Sequence, residues 1–172
     1  MKTLSALHAD IDARVSLIRS EHADWLCRRG CDACCHRLAE IPQLTAAEWA
    51  LLREGLIALP PALLQRICKE VATLAEQQTR PIVCPFLDRS TGSCRVYFHR
   101  PIACRTYGFY VQRDKGLYCN DIENQVARGI LDHVVWGNQD AIDHRLKDSG
   151  ETRALTEWFL FEMQSASESH HL

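Results

Sequence analysis

A mainly helical domain, interrupted by an irregular cysteine-rich loop region and one small β-hairpin, is the fold the sequence predicts. Three observations predict it. Apolar residues recur at helical spacing in both halves of the chain, the periodicity disappears between Arg80 and Cys119, and eight of nine cysteines crowd into two stretches, residues 27–35 and 84–119. A chain of 172 residues with 47% hydrophobic content can bury a core of its own, so a single domain is expected over residues 1–163. The polar end, residues 164–172, reads as a disordered tail, and its His170 and His171 as frayed rather than ligating.

Leu4, Leu7, Ile11, Val15 and Ile18 make one apolar stripe, extended by Trp25 and Leu26, and predict an amphipathic helix over about the first 25 residues. Thr45 and Glu48 form a T-x-x-E capping box opening a second helix through Trp49 and Leu52, with Gly55 marking its end. Pro60 and Pro61 start a third, lined by Leu63, Leu64, Ile67, Val71 and Leu74. Cys68 lies beside Ile67, isolated from the other cysteines, and reads as a small buried hydrophobe. The alternating segment "TYGFYVQ" and the turn "RDKG" predict the hairpin, ending at Cys119. Asn120 with Glu123 predicts another capping box, opening a helix through Ile122, Val126, Ile130 and Val134, and Leu155, Trp158, Phe159 and Met163 predict a last one.

The formal net charge of −2 offers no global attraction to nucleic acid or anionic lipid. No run approaches the ~18 apolar residues that span a bilayer, and Asp10, Asp12 and Arg14 break the apolar start, unlike a signal-peptide core. A cytoplasmic location without a membrane partner is therefore expected. In reducing cytosol, clustered cysteines read as metal-binding or catalytic rather than disulfide-bonded, and an odd count of nine cannot pair completely.

The candidate metal ligands are Cys27, Cys31, Cys34, Cys35, Cys84, Cys94, Cys104 and Cys119. Cys31-Asp-Ala-Cys34 has the gap at which a tight turn aims two sulfurs at one metal. A thioredoxin-like redox pair would need a βαβ context, whereas this motif follows a long helix. Cys34 and Cys35 are adjacent, and neighbouring side chains diverge by ~100° on a helix and ~180° on a strand. Such neighbours feed two centres, or two irons of one cluster, more naturally than one ion. Eight thiols suffice for two tetrahedral zinc ions, or for one four-cysteine [4Fe–4S] cluster with four thiols left over. Arg100 and Arg105 are the candidate cofactor-binding residues, as cations that offset thiolate charge and donate hydrogen bonds to sulfur.

Residues 27–34 fit C-x3-C-x2-C and so resemble the cluster loop of radical S-adenosylmethionine enzymes, which usually carry an aromatic residue where Ala33 stands and show a βα alternation missing here. "GCDACC" together with "CPFLDRSTGSCRVYFHRPIACRTY" resembles, over roughly residues 25–120, the CxxCxxCC cysteine-cluster (YkgJ-like) family of zinc- or iron-chelating bacterial proteins. One spacing departs: three residues separate Cys27 from Cys31 where the family typically has two. The resemblance implies a metal-bound cysteine cluster, zinc or iron–sulfur, mostly without an assigned reaction. The cysteine pattern is also similar to that of bacterial flagellin lysine methylases, which leaves a modifying enzyme as an alternative.

The function expected is therefore a cytosolic metal-binding protein whose cysteines from both stretches hold one iron–sulfur cluster, [4Fe–4S] in type, for electron transfer or an accessory redox role. The alternatives are a structural zinc domain and an iron–sulfur-dependent enzyme such as a protein methylase. In the enzymatic reading Tyr97, His99 and Tyr107 are the acid–base candidates. A protein redox or substrate partner is expected, of unspecified identity; nucleic acid is disfavoured, because the arginine-rich middle lacks zinc-finger C…H spacing.

Overall fold

Two hydrophobic clusters organise the chain, and the computed structural model describes residues 2–113 and 115–168 of it. The first cluster is built on α1 (Lys2–Glu21), whose Leu4, Leu7, Ile11, Val15 and Ile18 are all buried as the stripe predicts. Burying such side chains stabilises by about 1.5–3 kcal/mol each as an upper bound. Trp25 continues the stripe beyond the helix end and stacks on Phe109. The partners of α1 in this cluster come from α5 (Ile102–Thr106), α6 (Asn120–Ala127) and α7 (Gln139–Leu146), with Tyr110 from the sheet.

The second cluster joins α3 (Ala46–Ile57), α4 (Pro61–Glu76) and α8 (Leu155–Glu168) through Leu52, Ile67, Val71 and Phe159 among others. Trp49 and Trp158 stack across it at 5.9 Å. Three small sheets tie the loops. β1 (Gln43–Thr45) pairs antiparallel with β7 (Thr152–Ala154), and β2 (Leu87–Asp88) with β3 (Ser93–Cys94). The expected hairpin is β4 (Tyr110–Gln112) and β5 (Lys115–Leu117), in register Tyr110 with Leu117, and β6 (Gly137–Asn138) adds a parallel strand to β4. The mainly helical architecture with small β elements stands as predicted.

Several boundaries differ, each for a physical reason. The Thr45–Glu48 capping box forms, but α3 runs through Gly55 to Ile57. Gly55 is there for space, since a Cβ would stand 2.6 Å from the His99 ring. The Asn120–Glu123 box does not form: Cys119 takes the N-cap position of α6, so Asn120 is already helical. That helix stops at Ala127, and Gly129, at φ +70°, turns the chain away, leaving Ile130 half exposed. The last helix continues to Glu168, past the expected boundary at residue 163, while residues 169–172, with His170 and His171, lie outside the described residues. None of the helices is long and apolar enough to cross a membrane, among the described residues.

Candidate metal centre

The cysteine segments sit between the two clusters. Cys27 and Cys119 pack against the first, Cys84 and Cys94 against the second, and a cavity of about 90 Å³ lies in the seam. Seven thiols wall it: Cys27 and Cys31 from the loop after α1, Cys34 and Cys35 from α2 (Ala33–His36), Cys84 before β2, Cys94 on β3 and Cys104 on α5. Phe109 from one cluster and Leu44, Phe86, Val96 and Leu155 from the other complete an apolar lining. Cys119, capping α6, borders a smaller adjoining cavity of about 30 Å³ together with Cys27, Cys31 and Cys34. Cys68 borders neither and packs against the second cluster, half-buried where its isolation predicts a buried hydrophobe.

Local anchors hold these segments where the sequence has no long helices. The backbone of Cys84 donates to Cys35 O at 2.7 Å, joining the two cysteine stretches directly. Leu38 and Ile82 exchange backbone hydrogen bonds at 2.9 Å beside them. Buried Glu48 accepts from Thr45 and from the Ile102 backbone N–H at 2.9 Å, fixing the start of the Cys104 helix to α3. Cys27 is held by its thiol on Tyr107 O at 3.7 Å and by Arg19, whose guanidinium donates twice to Cys27 O. Arg19 also lines the cavity and lies over the Phe109 ring. It was not among the sequence candidates; its place on the last turn of α1, one helical face from Val15, was the only signal.

The two arginine candidates part ways. Arg100 lines the cavity, stacks on Tyr97 at 3.9 Å and keeps a buried Nε with no hydrogen-bond partner among the described residues. Arg105 turns away toward α1, donating to both Asp12 oxygens at 3.3 Å and to the carbonyls of Phe98 and Arg100. Its guanidinium has no hydrogen bond to sulfur among the described residues, because a carboxylate and two carbonyls already use its donors. Of the acid–base candidates, Tyr97 and Tyr107 line the cavity, whereas the His99 ring is wedged against Gly55 of α3.

Electrostatics favours the neutral form at Cys27, Cys34, Cys35, Cys94 and Cys104. Burial, then the neighbouring Cys34 and Cys31, pushes Cys27 up to about 12. Burial and the charges of Cys34, Cys94 and Cys35 do the same to Cys104, against the pull of Arg100. Cys104 is nonetheless accessible to water, through the cavity it lines. Cys34 is raised most, by hydrogen bonding to Cys35 and then by burial. At Cys35 that hydrogen bond lowers the value, but its own bond to Cys84 and burial outweigh it and leave about 12. Burial also raises Cys94. Such crowding is unfavourable to bare thiolates, and a thiophilic cation inverts it, since the thiolate is the ligating form.

A metal group therefore fits the residues present. Thiols from both stretches converge, Arg100 lines the same cavity and keeps an unused buried donor, and the apolar walls supply a low-dielectric shell. Among the described residues, no three of His, Cys, Asp or Glu are drawn together as tightly as around a single ion.

The family comparison agrees with this chemistry. A model of the CxxCxxCC family, described as a "putative zinc- or iron-chelating domain", matches residues 26–126. The chain belongs to the CxxCxxCC family. The matched span contains Cys27 to Cys119 and every wall thiol of the cavity, and the CxxCxxCC match leaves zinc and iron both open. No curated protein and no solved structure matches the chain.

Proposed function

We propose that the chain is a cytosolic metal protein whose cysteines hold an iron–sulfur cluster of the [4Fe–4S] type, serving electron transfer or an accessory redox step. One observation carries the reading: a cavity of about 90 Å³ walled by seven thiols from two distant stretches. One water-sized body needs about 10–15 Å³ of such space, so the cavity has room for several atoms rather than one ion. The Cys84-Pro85 dipeptide, familiar beside cluster ligands, and the unused Arg100 Nε support it. The cluster would supply one-electron redox chemistry. The chain's part is to bind it by thiolates, to place Arg100 against its negative charge and to exclude water with Phe86, Val96 and Phe109.

The test is metal and acid-labile sulfide on protein purified without oxygen. Brown protein with at least about four iron and about four sulfide per chain is expected; colourless protein with stoichiometric zinc and no sulfide overturns the reading in favour of a zinc domain.

A further inference from the structure

The eight cysteines outside α4 do not surround one space evenly. Cys34 and Cys35 are consecutive on α2, and their thiols are hydrogen-bonded to each other. Cys35 lines only the larger cavity, where its thiol meets that of Cys84. Cys27, Cys31 and Cys34 border both cavities, and with Cys119 they line the smaller one of about 30 Å³. Cys119 borders the smaller cavity and not the larger.

We propose that the thiols divide into two sets of four, Cys35, Cys84, Cys94 and Cys104 about the larger cavity and Cys27, Cys31, Cys34 and Cys119 about the smaller, and that the second set binds a thiophilic metal, iron or zinc, of its own. The division gives the adjacent pair Cys34–Cys35 a geometric reason: one residue serves each centre. It uses every cysteine except Cys68, which packs as a hydrophobe. Cys119 caps the N-terminus of the eight-residue α6. The smaller space, about two or three water-sized bodies, is closed by Leu26, Ala33 and Ile122. The four sulfurs are not yet within the ~2.3 Å radius of a zinc ion.

The experiment is metal and sulfide stoichiometry on the full chain, purified without oxygen, for wild type, Cys119→Ser, Cys31→Ser and Cys94→Ser, with circular dichroism as the folding check. Wild type should carry metal beyond one cluster. Cys119→Ser and Cys31→Ser should lose that extra metal at least tenfold and keep cluster iron and sulfide, and Cys94→Ser should do the reverse. Cys31 is exposed, so its variant reports even where Cys119→Ser fails to fold. The extra metal's identity separates an iron occupant from zinc. The division is overturned if wild type holds no second centre, if the variants lose all metal in step, or if Cys119→Ser and Cys31→Ser lose none. It deepens the iron–sulfur reading without depending on it: two zinc per chain with one lost per variant would sink that reading and sustain the division.

Discussion

Arg105 offers the sharpest separation between a residue that serves the metal and one that serves the fold. Its side chain is 9% exposed and its donors go to Asp12, Phe98 O and Arg100 O. Arg105→Met keeps much of the stem and removes every donor. Each partly buried carbonyl left without a partner costs about 1–2 kcal/mol. Asp12 is 55% exposed, so water replaces the guanidinium there and that pair adds about 0–1 kcal/mol. The sum is about 2–5 kcal/mol, which for a chain of this size lowers the melting temperature by roughly 4–20 °C.

The assay is thermal unfolding of metal-loaded wild type and variant, paired with metal content per folded molecule at low temperature. The expected result is a lowered melting temperature with unchanged metal content. Arg100→Met should show the opposite bias, because its Nε has no protein partner to abandon and its side chain lines the cavity. An Arg105→Met protein that melts like wild type yet loses metal would refute the reasoning, and would return Arg105 to the sulfurs.

Gly108→Ala meets two obstacles, a φ of +88° and a Cβ 2.8 Å from Cys27 Sγ; a loss of about 2–4 kcal/mol is expected by chemical denaturation, with weakened metal retention as Cys27 shifts. Cys68→Ser should keep full metal content by elemental analysis, since that thiol packs on the second cluster away from both cavities. Cys27 and Cys104 ionise near 12 when folded against a usual 9.0, so between those values the unfolded chain holds fewer protons than the folded one. The contribution of these two thiols to the stability of the metal-free protein is then flat below about pH 9 and falls above it, by at most about 1.4 kcal/mol per pH unit per thiol and less where water reaches the cavity; denaturant melts from pH 8 to 11 read this directly. Loading runs the other way, because each ligating thiol releases a proton, so competition with a chelator should show affinity weakening as pH falls from 8 to 6. Chelation should raise amide exchange in residues 27–35 and 84–107 far more than at Leu7–Val15, whose burial in the first cluster does not involve sulfur.

What was legible in the sequence was what neighbours decide. The α1 stripe and the Thr45–Glu48 box depend on residues three and four apart, and both form. The same T-x-x-E logic failed at Asn120–Glu123 because Cys119 starts the helix one residue sooner. Gly55 was read as a stop when its role is spatial, set by the distant His99 ring. Arg100 and Arg105 look alike in sequence, two cations five apart, and only the fold shows that one faces the cavity and the other faces Asp12. The β1–β7 ladder and α7 carried too few residues for periodicity to register.

The seam between the clusters explains why the cysteines lie on such short elements. A long helix could present two thiols at most to one point, since its residues climb ~1.5 Å each and rotate away by ~100°. Bringing seven thiols to one cavity therefore needs many short segments, and short segments cannot bury enough apolar surface to hold themselves. Each is instead pinned at one point: Ile102 N–H on Glu48, Cys84 N–H on Cys35 O, Ile82 on Leu38, Cys27 O on Arg19. Those pins set the approach of the segments, and thiolate bonds to metal would supply the remaining cohesion, which packing of Leu44, Val96 and Phe109 around the cavity leaves unmet. On this argument the irregular middle of the chain is irregular because its geometry answers to sulfur rather than to helical period.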